Sequence, residues 1–117
     1  MLFSKKTITL EPERASEILL YAIEAYLHGS DEHGIVFEKL IENGANPFGQ
    51  TQRGKTVKFN GQYYGALSAY DLASQLLNAP VNPDSPEDEQ KDWYKEHKRK
   101  FSYLVSLFER AKPVTTP

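Results

Sequence analysis

The sequence predicts an all-α domain of four helices, arranged as two helix pairs with a β-hairpin inserted between the pairs. Three observations support this prediction. Apolar residues recur every three to four positions in four separate segments, which is the period of an amphipathic helix. Capping residues, glycine or proline mark the ends of these segments. Between the second and third segments, Asn60-Gly61 is flanked by β-prone residues, which is the strongest short-range signal of a two-residue hairpin turn.

The first predicted helix pair lies within residues 12–47. Pro12 suits the first turn of a helix, where its missing N–H group is not needed. The second helix starts after Ser30 or Asp31, because either side chain can cap the free N–H groups of a first turn. It ends at Gly44, since a residue without a Cβ readily adopts the left-handed backbone that closes many helices. The apolar stripes are Ala15, Ile18, Leu19, Ala22, Ile23 and Tyr26 in the first helix, and Val36, Phe37, Leu40 and Ile41 in the second.

Residues 48–67 form the predicted connection between the pairs, and the hairpin lies within it. Because Asn60-Gly61 fills both central positions of the turn, the two strands pair residue by residue outward from it. A lone hairpin is marginal in water, so one of its faces is expected to pack on the helices. The predicted pairs are Phe59 with Gln62, Lys58 with Tyr63 and Val57 with Tyr64, which puts Val57, Phe59 and Tyr64 on one face and Lys58 and Tyr63 on the other.

The second predicted pair lies within residues 68–112. Ser68 caps the third helix, and Asp71 follows three residues later as a weaker form of the capping box. The fourth helix is predicted to start with Ser85 as its cap and Pro86 as its first helical residue. The predicted buried faces are Leu72, Ala73, Leu76 and Leu77 in the third helix, and Trp93, His97, Phe101, Leu104, Val105 and Phe108 in the fourth.

A basic run, Lys95–Lys100, lies in the middle of the fourth helix. Charged residues grouped on a helix are usually its solvated face, and we expect this for the run. Glu96 and Lys100 are spaced for an ion pair between positions i and i+4, which stabilises a helix by only about 0.2–0.5 kcal/mol.

The composition predicts one domain, residues 1–117, with a modest core. The net charge of -2 gives no basis for nucleic-acid or membrane binding, because nucleic-acid-binding domains are usually basic. The absence of cysteine excludes disulfides and thiolate metal sites. No apolar run approaches the roughly 18 residues that span a bilayer, and the N-terminus lacks the apolar core of a signal peptide. We therefore expect a cytoplasmic protein with no membrane partner, and export without an N-terminal signal stays open.

Two short motifs of the chain match patterns of a known repeat family. Residues 40–46 read Leu-Ile-Glu-Asn-Gly-Ala-Asn, and Gly54, Thr56, Ser68, Leu72 and Ala73 follow toward the third helix. These motifs resemble the ankyrin-repeat family, in which Leu-Leu-x-x-Gly-Ala-Asp/Asn ends one repeat and Gly-x-Thr with Thr-Pro-Leu-His-x-Ala opens the next. The chain departs from that family by an insertion of roughly ten residues between Thr56 and Ser68 and by a longer fourth helix.

The resemblance implies a protein that binds another protein and performs no catalysis. Residues 12–47 are then repeat one and residues 68–112 repeat two. Two repeats are fewer than the three or more usually needed for stability, so either the long outer helices compensate or the chain forms a homodimer. Partners of the family dock on the loop tips and the inner-helix surface. The resemblance also implies no cofactor and no metal. The implied partner-binding residues are Arg53, Lys58, Phe59, Tyr63, Tyr64 and Tyr70.

Alternative functions stay open at this stage. His28 and His33, with two carboxylates between them, have the residue types of a metal-dependent enzyme, but the segment is a turn, where polar residues collect, and we expect a solvated turn. His97 suits a general base only if a partner group and a pocket accompany it, and otherwise it is a satisfied core histidine. Residues 53–64 mix cations with aromatic rings, as in single-stranded nucleic-acid binders. The hairpin can also serve only to shield the core.

Overall fold

The computed structural model of the protein describes residues 12–29 and 34–111. Within these residues the chain is helix-rich, with four α-helices and one two-stranded antiparallel hairpin, so the coarse prediction of four helices with a hairpin insertion is confirmed. The elements in chain order are α1 (Pro12–His28), α2 (Gly34–Glu42), β1 (Lys55–Phe59), β2 (Gln62–Ala66), α3 (Ala69–Leu77), a short 3-10 helix (Pro86–Gln90) and α4 (Asp92–Arg110).

The helices share one core. α1 packs against α2, α3 packs against α4, and α1 also contacts α3. Aromatic rings join these contacts, because the ring centroid of Phe37 lies 5.2 Å from that of Tyr26 and 5.9 Å from that of Phe108. Tyr26 in turn lies 5.4 Å from Phe101. The hairpin closes the same core with Val57, which is buried between it and the helices.

The ends of the first two helices agree with their sequence signals. α1 begins at Pro12, as predicted from the tolerance of proline in a first turn. Beyond the end of α2, Gly44 has a φ of 101°, which lies in the left-handed region that favours glycine. The predicted caps of α2, Ser30 and Asp31, lie outside the described residues.

The start of α3 agrees with its predicted cap, whereas the start of α4 does not. Ser68 Oγ accepts a hydrogen bond from the backbone N–H of Asp71 at 3.2 Å. The predicted fourth helix is interrupted, because extended backbone at Lys91 separates the 3-10 helix Pro86–Gln90 from α4. Ser85 makes no side-chain capping bond. None of the side chains of the 3-10 helix is buried, so burial does not hold these residues in an α-helix.

The basic run of α4 is not simply a solvated face, so that prediction was wrong. Lys100 is only 7% exposed, and its Nζ donates to the carbonyl oxygens of Tyr26 at 2.6 Å and Gly29 at 2.8 Å. Lys98 Nζ donates to the carbonyl oxygen of Leu77 at 2.6 Å. The last carbonyls of a helix have no partner within it and carry partial negative charge. These two lysines therefore cap the C-terminal ends of α1 and α3.

The predicted ion pair between Glu96 and Lys100 does not form. Arg99 Nε instead donates to Glu96 Oε1 at 3.1 Å, three positions along the exposed side of α4. The hydrogen bond from Arg99 is the main reason that the pKa of Glu96 is lowered. Lys100 Nζ instead reaches the end of α1, where it donates to the carbonyl oxygens of Tyr26 and Gly29.

Candidate functional site

The hairpin is the feature that brings most of the predicted binding residues together. Asn60 and Gly61 both have positive φ, at 56° and 85°, as a type I′ turn requires. The register is the predicted one, with Phe59 opposite Gln62, Lys58 opposite Tyr63, and Val57 opposite Tyr64. One face of the hairpin therefore turns toward the helices and the other toward solvent.

The outer face of the hairpin presents a cation beside an exposed ring. Tyr63 is 71% exposed, the most exposed of the large apolar and aromatic side chains in the described residues. Lys58 is also exposed, and its Nζ lies 5.5 Å from the centroid of the Tyr63 ring. A lysine at this distance is attracted to the face of a tyrosine ring, an interaction that contributes about 0.5–1 kcal/mol at exposed sites. Arg53 is exposed in the loop before β1.

The inner face of the hairpin packs on α4. The ring of Phe59 stacks on His97, with centroids 4.1 Å apart and planes 12° apart. Its edge meets Trp93 at 6.2 Å. Tyr64 is half-buried against the core, where burial raises its pKa and the nearby Tyr94 raises it further. Phe59 and Tyr64 thus fix the hairpin to the helices.

Tyr70, the remaining predicted binding residue, lies at the start of α3, away from the hairpin strands. Its hydroxyl donates to Glu109 Oε2 at 2.8 Å, and this hydrogen bond is the main cause of its raised pKa. Its ring lies 4.6 Å from that of Phe48. Tyr70 is half-buried and contacts both the loop before the hairpin and the end of α4. Its side chain therefore packs against the fold and is also partly accessible at the surface.

His97 is a buried histidine that donates to the backbone. Its Nε2 lies 2.7 Å from the carbonyl oxygen of Leu76, and because a carbonyl can only accept, the proton is assigned to Nε2. Burial lowers the pKa of His97; the bond to Leu76 opposes this, and Lys98 and Lys100 lower the pKa further. The ring is covered by Phe59 on one side. This geometry agrees with the prediction that His97 is a core histidine whose ring makes a satisfied hydrogen bond.

The predicted histidine pair is only partly described. His28 is exposed at the end of α1, and His33 lies outside the described residues. Within residues 12–29 and 34–111, no group of three or more histidine and carboxylate side chains is placed to hold a metal ion. Across the same residues, no helix combines the length and the apolar character needed to cross a bilayer.

A groove between the hairpin and α3 was not predicted. It has a volume of about 610 Å³ and lies beside β2. Its walls include Gly65 and Leu67 on the hairpin side and Asp71 and Gln75 on α3. Gln75 Nε2 donates across the groove to the carbonyl oxygen of Gly65 at 2.9 Å. No sequence motif marks this groove, because it arises from the separation of two elements rather than from either alone.

Comparisons with protein-family models, with curated proteins and with solved structures find no match to this chain.

Proposed function

We propose that the chain is a non-catalytic protein-interaction module of ankyrin-repeat type, which binds another protein through the outer face of its hairpin. The observation that carries this proposal is the pair formed by Tyr63 and Lys58. The tyrosine ring is 71% exposed, and the lysine holds a cation 5.5 Å from its centroid. Tyrosine is enriched among the residues that dominate protein interfaces, because a large ring is desolvated there at little entropic cost.

The helix contacts support the ankyrin type. An ankyrin repeat is an antiparallel helix pair followed by a projecting loop, and successive pairs stack. Here α1 packs on α2 and α3 on α4, while α1 contacts α3 across the pairs. The Gly-Ala-Asn turn follows α2, with Gly44 in the left-handed region and Ala45 buried. The hairpin lies between the two pairs, where the family places its projecting loop.

The six proposed contact residues divide into two roles. Arg53, Lys58 and Tyr63 are exposed and are assigned direct contact with the partner. The other three are half-buried and are assigned the task of holding the binding surface in position: Phe59, Tyr64 and Tyr70. The hairpin then both shields the core and binds, through opposite faces. Affinity is expected to come mainly from Tyr63, with the two cations at the polar rim.

The test is a quantitative capture of proteins from lysate of the source cell with wild type and with Tyr63→Thr. Threonine keeps strand propensity and removes the ring, so the fold is expected to stay intact. The matched control is Ile35→Thr, a change of similar polarity at a side chain on α2 that is 60% exposed. We expect a specific protein to be captured by wild type and by the control, and to be reduced about tenfold or more by Tyr63→Thr.

Equal capture by wild type and Tyr63→Thr, with both folded by circular dichroism, would remove the hairpin from the interface. Nuclease treatment of the lysate provides a second control. Capture that disappears after it would contradict a protein partner and would instead favour single-stranded nucleic acid held by the ring and the cations.

A further inference from the structure

Strand β2 has one edge that does not pair with β1, and the direction of its backbone groups follows from the register. The pair that flanks a two-residue turn, Phe59 and Gln62, exchanges both of its backbone hydrogen bonds. Along an antiparallel ladder, bonded and non-bonded pairs alternate. Tyr63 and Gly65 therefore point their N–H and C=O groups away from β1. The bond from Gln75 Nε2 to the carbonyl oxygen of Gly65 confirms this direction independently.

This edge borders the groove of about 610 Å³ between β2 and α3. At Gly65 the amide of Gln75 already occupies the position that the N–H of a neighbouring strand would take. In the described part of the chain, no comparable bond reaches the outward N–H and C=O of Tyr63. Gly65 thus lies in the wall of the groove, and Tyr63 lies two residues away on the same edge of β2, outside the walls of the groove.

The two edges of the hairpin differ in charge. β1 carries the exposed Lys58 and also Lys55, which pairs with Glu24 at 2.7 Å, whereas β2, with the sequence Gln-Tyr-Tyr-Gly-Ala, carries no charge. Lysine on an edge strand opposes pairing with another strand, because its charge would have to be desolvated or brought against the incoming chain. Only β2 is therefore suited to accept a further strand.

The side chains of the groove indicate what kind of segment fits. Among the described residues of its walls, Asp71 is the one that carries a charge, and it is exposed. Leu67 contributes an apolar side chain that is 43% exposed. An incoming chain that alternates apolar residues with one basic residue would match both, while an acidic residue would meet Asp71 with the same charge.

We propose that β2 binds an extended segment of the partner protein as a third strand of the sheet. The segment exchanges backbone hydrogen bonds with Tyr63 and Gly65, replaces the Gln75 amide on the Gly65 carbonyl, and places a lysine or arginine toward Asp71. This mode of recognition takes affinity from the main chain and specificity from alternate side chains. It rests on the proposed function in one respect, namely that the partner is a protein.

The test uses peptides selected against the full chain from a library of random sequences about eight residues long, enough to cover a five-residue strand. Tyr63→Pro is compared with Tyr63→Thr. Both remove the ring, but only proline removes the outward N–H, which the hairpin itself does not use. We expect selected peptides to be basic and to bind Tyr63→Pro about tenfold more weakly than Tyr63→Thr.

The matched control lies directly across the hairpin. Lys58→Pro and Lys58→Thr form the same comparison on the β1 edge, where the outward N–H has no role in the proposal, so their affinities should agree. Amide hydrogen exchange gives a second readout. On peptide binding, exchange should slow at the amides of Tyr63 and Gly65 and stay unchanged at Lys58.

Equal peptide affinity for Tyr63→Pro and Tyr63→Thr, with both hairpins intact, would overturn the strand proposal. So would the absence of any enriched peptide. Self-association that Tyr63→Pro abolishes, without peptide binding, would show that a second copy of the chain occupies the edge instead. If wild type captures a partner that Tyr63→Thr loses, yet proline and threonine behave alike, the proposed function stands and only the strand mode fails.

Discussion

At the scale of single residues, His97 connects stability to pH. Its ring is buried against Phe59 and donates to the carbonyl of Leu76, and burial is the main cause of its lowered pKa. The cations that face it, Lys98 and Lys100, lower the pKa further. In the unfolded chain a histidine titrates near its ordinary pKa of about 6.5. Below that pH the unfolded state binds more protons than the folded state does, so stability falls with acidification.

We therefore expect the contribution of His97 to be complete above about pH 6.5 and to be lost as the pH falls from there through the lower folded pKa. His97→Gln keeps an N–H that can reach Leu76 but does not titrate. Urea unfolding of the variant should show a smaller loss of stability between neutral pH and mildly acidic pH than wild type. Identical pH dependence in wild type and His97→Gln would contradict this account.

Lys98 and Lys100 show which part of a side chain's role on α4 the sequence could predict. Lys100 lies three residues after His97 and four before Leu104, on the apolar side of the helix, whereas the exposed Lys95 lies on the opposite side, so the spacing of Lys100 indicated burial but not its partners. Their partners are backbone carbonyls at the ends of α1 and α3. The pattern of side chains does not show where the backbone carbonyls at a helix end will lie. Lys100 is also 74 residues away from Tyr26 in the sequence, so no local signal connects the two.

At the scale of elements, the two faces of the hairpin should respond differently to the same truncation. Phe59 is half-buried and stacks on His97, so we expect Phe59→Ala to lower the free energy of unfolding by about 2–3 kcal/mol. Tyr63 is mainly exposed, and Tyr63→Ala should change the free energy of unfolding by no more than about 0.5 kcal/mol. Urea unfolding followed by circular dichroism measures both. Similar losses in the two variants would contradict the assignment of an inner and an outer face.

The hairpin is also the element whose local structure was best predicted. Asn60-Gly61 specifies both positive φ values, and the register and the two faces follow from the turn alone. What the inner face packs against, namely His97 and Trp93, depends on a helix more than 30 residues away. The groove beside β2 depends equally on the position of α3. The sequence next to the turn is thus enough to predict which strand residues pair. What surrounds the candidate site depends on how distant elements pack, which the local sequence does not show.

At the scale of the whole molecule, the two helix pairs share aromatic contacts rather than forming separate cores. Phe37 on α2 lies between Tyr26 on α1 and Phe108 on α4. In a continuous core neither helix pair has to be stable alone. Most of the apolar stripes that form this core were predictable from their period, although the predicted members Val36 and Trp93 are exposed. The order in which the rings meet was not predictable, since periodicity identifies a buried face without identifying its neighbour.

A shared core predicts that the two pairs unfold together. Phe37→Leu loses ring contacts in the first pair, and we expect it to lower the free energy of unfolding by about 1–2 kcal/mol. Trp93 is the single tryptophan and lies on α4, so its fluorescence reports on the second pair, whereas far-ultraviolet circular dichroism reports on all helices. In a two-state transition both probes should shift by the same amount.

Val36→Ala, at the exposed neighbour on α2, should shift neither by more than about 0.5 kcal/mol. A fluorescence transition left in place while the dichroism transition moves would mean that the pairs unfold independently.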